Sequence, residues 1–152
     1  MRRAFTLIEI LIVVLILGLI AAMVLPQFFD VTGDAQRTAF VNNGRIFSAA
    51  AKRYELDYGE YPASKAGKLP DGFGDYIQSN RWLAATPIGG QWEARANKGG
   101  VTSAIGIHYG GKSPDHDPAT MLLIDEMADD GDLNTGAFQQ FGGNHYFFIV
   151  AP

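Results

Sequence analysis

The sequence places a single carboxylate, Glu9, at the start of an otherwise apolar segment. The sixteen residues from Ile10 to Leu25 are all apolar or glycine, and Pro26 follows them. Placing a charged side chain inside a membrane costs free energy, so such a residue is a candidate functional residue that is expected to have a polar partner. Glu9 thus offers an acid that can pair with a cation in an apolar setting. The competing interpretation is that Glu9, near the end of the segment, extends to the lipid headgroups.

A second group of potentially functional side chains, mainly carboxylates, lies between residues 129 and 136. Asp129, Asp130, Asp132 and Asn134 share these eight positions with two glycines. Ca²⁺ takes about six to eight oxygen ligands, which loops of this composition can supply. These four residues are therefore a candidate Ca²⁺ site, although their spacing is not that of an EF-hand. An ordinary acidic turn with Asx hydrogen bonds is the competing interpretation.

No set of residues in the sequence predicts catalysis. The chain has no cysteine, hence no thiol nucleophile, and it contains neither an HExxH pattern nor a phosphate-binding glycine loop. We expect His116 in an exposed loop, with Asp115 and Asp117 beside it, and we expect His108 and His145 as cross-strand surface neighbours. The net charge of −4 does not indicate a protein that binds nucleic acid. We therefore expect a protein that is not an enzyme, has no certain cofactor and binds no nucleic acid.

The element that must position Glu9 is the N-terminal segment, for which several interpretations compete. Two arginines precede the apolar run and bias this end of the chain towards the cytoplasm. A secretory signal peptide cut near Ala22 is one interpretation. A permanent single-pass anchor is another, because Phe5–Leu25 would span about 31 Å as an α-helix. Neither interpretation gives Glu9 a role.

The residues from Ala4 to Val14 resemble the N-terminal cleavage and methylation motif of type IV pilins and type II secretion pseudopilins. In that family a short basic leader ends in Gly or Ala, prepilin peptidase cuts before Phe, and the new α-amine is methylated. The resemblance implies cleavage between Ala4 and Phe5, with Ala in place of the commoner Gly. It also implies that Glu9 pairs with the Phe5 amine of a neighbouring subunit in a helical filament, because a buried charge is tolerated when it is paired.

The same resemblance implies a structural role. We expect a subunit of a type II secretion pseudopilus, a single-pass protein of the bacterial inner membrane whose head lies outside the cytoplasm and which assembles in the periplasm. Its expected partners are further copies of itself, other pilin-like subunits, prepilin peptidase and the inner-membrane assembly platform. Major pseudopilins also carry a calcium-stabilised loop in the head. A surface type IV pilus and a membrane-tethered binding module that does not polymerise remain open alternatives.

The pattern of the remaining residues predicts an α+β fold, a long helix packed against a small antiparallel β-meander. The helix is expected over about residues 5–56, with a kink at Pro26 and loosening at Gly33 and Gly44. Its inward stripe comprises Phe40, Phe47, Ala51, Tyr54 and Tyr58. Strands are expected at residues 91–95, 101–109, 136–141 and 145–150, glycine turns at 99–100 and 142–144, and a helix at 119–128 opened by Asp117-Pro118.

Two tryptophans, Trp82 and Trp92, are expected to anchor the core of the head, with binding of a partner or a sugar as the alternative. The predicted organisation is a leader at residues 1–4, a transmembrane and assembly helix at 5–29, and a head at 30–152 that includes the amphipathic half of the long helix.

Overall fold

The computed structural model describes residues 6–110 and 117–152, and it describes residues 25–31 by their backbone alone. The elements are, in chain order, α1 (Leu7–Tyr58), a 3₁₀ turn (Phe73–Asp75), α2 (Ser79–Leu83), β1 (Gln91–Lys98), β2 (Val101–His108), α3 (Pro118–Ala128), β3 (Phe138–Gln140) and β4 (His145–Ala151). A long N-terminal helix and an antiparallel sheet confirm the predicted α+β class.

The long helix α1 follows the predicted bounds closely, beginning at Leu7 and ending at Tyr58. Its helical assignment continues through Pro26, which does not end the helix, as predicted; the kink at Pro26 stays a prediction. Gly59 ends the helix, with a positive φ of 75° and its N–H donating to the Glu55 carbonyl at 2.8 Å. This left-handed glycine is the usual way for a helix to satisfy its last carbonyl groups.

The chain divides into two compact units, Met1–Ala35 and Gln36–Pro152. Residues of α1 contribute to both units. The second unit holds all the other elements and the hydrophobic core of the head.

Aromatic side chains of α1 form the centre of that core. Phe40 stacks on Trp92 with 5.1 Å between ring centroids. Phe47 makes edge contacts with Trp92 at 4.9 Å and with Trp82 at 5.1 Å. Such pairs contribute about 0.5–1.5 kcal/mol each beyond their hydrophobic burial. Because both indole rings are fully buried, the tryptophans are core residues as predicted, and the alternative of surface ligand binding is wrong.

The predicted inward stripe of α1 is confirmed at four positions and wrong at the fifth. The side chains of Phe40, Phe47, Ala51 and Tyr54 are buried. Tyr58 is more than half exposed, because it lies at the last residue of the helix and stacks on the outer face of Tyr54 at 4.4 Å.

Gly44 lies inside α1 and has a packing role. A Cβ atom at this position would lie 2.1 Å from Cε2 of Phe148, a buried residue of β4. The missing side chain therefore lets the helix approach the sheet closely. The sequence predicts local loosening of the helix at Gly44; the structure instead keeps it helical.

The four strands lie in the order β1-β2-β4-β3, with every neighbouring pair antiparallel. This order corrects the predicted meander, in which neighbours in sequence would also be neighbours in the sheet. The chain leaves β2, forms α3, and returns at the far edge as β3, so that β4 fills the place between β2 and β3. The predicted turn at Gly99 and Gly100 is confirmed, with φ values of 72° and 84° that suit a tight hairpin.

Both edges of the sheet are partly covered. Beside β1, the N–H groups of Ser64 and Gly67 donate to the carbonyls of Ala94 and Trp92, each at 2.9 Å. At the other edge β3 is only three residues long, and the Gln140 N–H donates outward to the Leu133 carbonyl at 2.8 Å.

The helix α3 is capped at both ends. Its N-cap is Asp117, whose side chain accepts a hydrogen bond from the Ala119 N–H at 3.1 Å, and Pro118 follows as the first helical residue, as predicted. At the other end the guanidinium of Arg45, from α1, donates to the carbonyls of Met127 and Ala128 at 3.2 and 3.4 Å. A cation here is favourable because the C-terminal carbonyls carry partial negative charge.

Candidate functional sites

Glu9 caps the N-terminus of α1. Its Oε2 atom accepts hydrogen bonds from the backbone N–H and the hydroxyl of Thr6, both at 2.8 Å. In return the Glu9 N–H donates to the Thr6 hydroxyl at 3.3 Å. These reciprocal bonds form a capping box, in which a Thr N-cap and a Glu three residues later satisfy each other's N–H groups. The T-x-x-E pattern of residues 6–9 is a sequence signal for this box, and it gives Glu9 a local partner that its charge alone does not predict.

The capping box changes what is expected of Glu9. Both of the hydrogen bonds described for its carboxylate fall on Oε2, so the carboxylate can cap its own helix and offer Oε1 to a cation. Ala4 and Phe5 lie outside the described residues. Cleavage between them, and the pairing of Glu9 with a Phe5 amine, therefore stay predictions.

The apolar part of α1 is long enough to cross a membrane. Leu7–Val24 forms an 18-residue helical stretch with no buried residue, about 27 Å long at the rise of an α-helix. Length and composition are the basis of this assignment, which agrees with the predicted anchor. Glu9 lies in the first turn of the stretch.

The acidic loop, residues 129–136, has a further acid beside it that the sequence pattern does not predict, Asp125. This residue of α3 is fully buried, and neither of its carboxylate oxygens has a hydrogen-bond partner among the described residues. Burial, followed by the charges of Asp130 and Asp129, raises its pKa to about 6. The backbone N–H of Gly131 lies near enough to offset part of this rise, but it does not make a hydrogen bond of ordinary geometry with either oxygen. A buried acid without a partner beside further acids is a place where a cation would relieve both desolvation and repulsion.

The predicted ligands of the acidic loop make hydrogen bonds with one another. Asp130 accepts from the Asp132 N–H, and Asp132 accepts from the Asn134 N–H, both at 3.0 Å. The Asn134 amide also bonds to Asp132 at 2.8 Å, and these bonds lower the pKa of Asp132. Asp129 accepts from the Ala137 N–H. The Asx turns of the competing interpretation are thus present, and the donor set with Asp125 fits a hard cation such as Ca²⁺ by its oxygen chemistry.

A group of potential metal ligands lies on the sheet, away from the acidic loop in sequence. Among the residues that the structure describes, the one group of three His, Cys, Asp or Glu side chains with ligand atoms within 4.8 Å of one another is Glu93, His108 and His145. The two histidines are register partners on β2 and β4 with ring centroids 4.3 Å apart. This confirms their prediction as cross-strand neighbours. His116 and Asp115 lie outside the described residues.

The surroundings of His145 lower its pKa and so favour the neutral imidazole. Burial lowers the pKa of His145, and the Arg95 guanidinium lowers it further, while Glu93 opposes them. No sequence signal places Glu93 beside this pair, because its position next to the two histidines depends on the register of three strands.

Comparisons with known proteins agree with the N-terminal motif. Residues 1–25 match the prokaryotic N-terminal methylation motif. A type II secretion system core protein G of Pseudomonas aeruginosa is 41% identical over 66 residues, 43% of this chain and 46% of the relative. A type IV major pilin protein PilE1 of Neisseria gonorrhoeae is 32% identical over 109 residues, 69% of this chain and 49% of the relative.

A fimbrial protein of Neisseria meningitidis is 34% identical over 83 residues, which is 52% of this chain and 49% of the relative. The chain spans about half the length of the curated relatives it matches. No solved structure matches it. The chain thus carries the prokaryotic N-terminal methylation motif and has homologues among type II secretion core G proteins and type IV pilins, which confirms the resemblance predicted from residues 4–14.

Proposed function

We propose that this chain is a structural, non-catalytic subunit of a type II secretion pseudopilus. Prepilin peptidase removes residues 1–4, Phe5 becomes the methylated N-terminus, and the apolar part of α1 holds the subunit in the bacterial inner membrane. The head lies outside the cytoplasm, and subunits join in the periplasm through α1. The observation that carries this proposal is the methylation motif at residues 1–25, continued by a helix apolar enough to cross a membrane.

Assembly is proposed to use one charge pair per subunit. Before cleavage the nitrogen of Phe5 is a neutral amide, and cleavage turns it into a cationic amine. The Glu9 carboxylate of a neighbouring subunit can then accept this amine while its Oε2 atom keeps the bonds to Thr6. Leaving one partner of a buried pair alone costs about 3–5 kcal/mol. Unprocessed subunits would therefore be excluded from the filament.

The processing step is tested by mass spectrometry of the protein extracted from membranes. The expected mature mass lacks residues 1–4 and carries one added methyl group on Phe5. The same protein from cells without prepilin peptidase should keep its leader. A mature protein that still begins at Met1, or one cut near Ala22, would overturn the proposal.

A type IV pilus is the second candidate, and type IV pilins stand among the relatives. The acidic loop with buried Asp125 favours the pseudopilus, because major pseudopilins resemble it in carrying a calcium-stabilised loop. Electron microscopy of cells that overproduce the chain separates filaments confined to a secretion apparatus from surface pili. A membrane-tethered binding module would form no filament at all.

We also propose that the acidic loop binds Ca²⁺. Asp125, Asp129, Asp130 and Asp132 would supply carboxylate oxygens and Asn134 an amide oxygen. From Asp115 to Pro152 the chain has no Lys or Arg, so a bound cation would offset charge that no basic residue of this segment neutralises. Its effect would be to stabilise the head, without any part in catalysis.

A further inference from the structure

The outer face of the sheet carries a cluster of three potential metal ligands on three adjacent strands. Glu93 lies on β1, His108 on β2 and His145 on β4. We propose that this cluster, which we call the β-face cluster, is a binding site for a divalent transition-metal ion, Zn²⁺ in the first instance. It is separate from the acidic loop and does not depend on the proposed role in a filament.

Two of the three separations between donor atoms are close to those of a tetrahedral zinc site, and all three are within 4.8 Å. The Nδ1 atoms of His108 and His145 are 3.2 Å apart, and the Nδ1 atom of His145 is 3.4 Å from Oε2 of Glu93. Zinc binds nitrogen and oxygen ligands at about 2.0–2.2 Å, so two ligands of a tetrahedral site lie about 3.3 Å apart. The Nδ1 atom of His108 is also 3.2 Å from Nε2 of His145, so the two imidazole rings must turn about their side-chain bonds to aim one nitrogen each at a shared ion.

The donor types select the class of metal. Two imidazole nitrogens and one carboxylate oxygen suit Zn²⁺ and its first-row neighbours, whereas Ca²⁺ and Mg²⁺ prefer oxygen ligands. The side chains of His145 and Glu93 are 27% and 14% exposed, so an ion can reach them from solvent. Three protein ligands would leave the fourth position of the metal to water.

The sheet holds the three ligands in place. His108 and His145 are direct register partners, and Glu93 pairs with Gly106, two residues before His108 on the same face. Because the strand hydrogen bonds fix the backbone of each residue, only the side chains have to reorganise when an ion binds. Gly106 itself has no room for a side chain, since a Cβ there would lie 2.0 Å from the Tyr146 carbonyl.

Arg95 is the competitor of the metal in this cluster. Its Nη2 atom lies 2.7 Å from Nδ1 of His145, and its Nε donates to Oε1 of Glu93 at 3.0 Å. The guanidinium also lies over the Phe147 ring, 4.3 Å from the centroid. It thus supplies the positive charge that balances Glu93 in the metal-free chain. An ion that binds Oε2 of Glu93 and Nδ1 of His145 must displace the Nη2 contact.

The alternative to a metal site is a hydrogen-bonded network completed by Arg95. Arg95→Gln separates the two. If the cluster binds a metal, removing the guanidinium charge should tighten Zn²⁺ binding by about tenfold, since two like charges a few ångströms apart repel. If the cluster is only an ion-pair network, the substitution should lower the melting temperature and create no metal affinity.

The test uses the untagged full-length chain in detergent micelles, with ZnCl₂ titrated by isothermal calorimetry in the presence of excess Ca²⁺ to occupy other sites. One Zn²⁺ per chain and a rise in melting temperature are expected. Co²⁺ should give the visible absorption of a tetrahedral site. His108→Gln and His145→Gln should each weaken binding at least about tenfold, as changes even to outer ligand partners do. Circular dichroism without metal checks that both variants fold.

His116→Gln is the matched control, because it removes the third histidine of the chain and should leave Zn²⁺ binding unchanged. The proposal is overturned if the wild-type chain binds no Zn²⁺ at submillimolar concentration. It is also overturned if binding survives the two cluster substitutions or is lost with His116→Gln. None of these outcomes depends on cleavage or filament assembly, so the proposed function is tested separately.

Discussion

The two halves of α1 differ in what surrounds their apolar side chains. Between Leu7 and Val24 apolar residues occupy every side of the helix, and all of them are exposed. Between Phe40 and Tyr54 one stripe is buried in the head, while polar residues such as Lys52 and Arg53 face solvent. A helix that is apolar all round needs lipid or other helices, whereas a striped helix needs one packed face. Substitutions should therefore affect assembly in the first half and stability in the second.

The largest effect is expected for Glu9→Ala in the first half. Filament yield should fall by about a hundredfold or more, because a neighbour's Phe5 amine would be left in an apolar setting at a cost of about 3–5 kcal/mol. The melting temperature of the head should stay within error. Sheared filaments on immunoblots measure the first quantity, and calorimetry of the full chain in detergent measures the second.

Glu9→Gln is the control that separates the charge from the helix cap. Gln can replace Glu in a capping box, so this variant keeps the Thr6 bonds and loses the negative charge. We expect it to assemble as poorly as Glu9→Ala. Normal assembly of Glu9→Gln would show that Glu9 acts through the capping box and not through a charge pair.

A second contrast uses two glycines of the same helix. Gly44→Ala should destabilise the head by about 1–2 kcal/mol, because the clash with Phe148 outweighs the gain in helix propensity. For a unit of this size that is a fall of about 5–10 °C in melting temperature. Gly18→Ala, with nothing within 4 Å of its new Cβ, should leave melting unchanged. Equal melting of the two variants would contradict the packing role of Gly44.

A third prediction concerns pH and Asp125. Because its folded pKa is raised from 3.8 to about 6, the folded head holds this proton more tightly than the unfolded chain does. The resulting stability is fully present below about pH 4 and is lost as the pH rises through 6. In the absence of Ca²⁺, Asp125→Asn should remove this dependence and raise the melting temperature at pH 7 by a few degrees.

Calcium should reverse the order of the melting temperatures of the wild-type protein and Asp125→Asn. Added Ca²⁺ should raise the melting temperature of the wild-type head at pH 7 by several degrees and that of Asp125→Asn by much less. Glu126→Gln, a neighbouring exposed acid of α3, is the control and should respond as the wild type does. A wild-type head whose melting does not change at millimolar Ca²⁺ would remove the metal from the acidic loop.

The smallest effect is expected for Arg45→Gln. Loss of its bonds to the carbonyls of Met127 and Ala128 should cost about 0.5–1 kcal/mol, which is a few degrees in melting temperature. Arg53→Gln changes an exposed cation of the same helix and should change melting by no more than about one degree. If both variants melt alike, the cap on α3 contributes nothing measurable.

Local patterns made much of this fold predictable. Asp117-Pro118 opens α3, Gly99-Gly100 turns the first hairpin, and the aromatic stripe of α1 is buried except at its last position. Each of these depends on residues within a few positions of one another. The motif at residues 4–14 is likewise continuous in sequence, and it leads to most of the proposed function.

The features of the structure that could not be predicted from the sequence depend on strand register, on topology and on packing. The strand order follows from where α3 returns the chain, and β3 is too short to carry a clear pattern. The β-face cluster joins residues from three strands whose relation is fixed only by the pairing. Asp125 looks like any acid of a helix until packing buries it. The Thr6–Glu9 capping box, in contrast, is predictable from the T-x-x-E pattern alone.

The covered edges of the sheet have a consequence for how copies of this chain can join. An open strand edge is a template on which a second chain can add by backbone pairing, which leads to uncontrolled aggregation. Here the N–H groups of Ser64 and Gly67 donate to two carbonyls of β1. At the other edge, the three residues of β3 leave little backbone with which a further strand could pair. The partly covered edges therefore offer little backbone on which a second copy of the sheet could extend. If the proposed filament forms, its subunits would have to join through the helix and not by extension of the sheet.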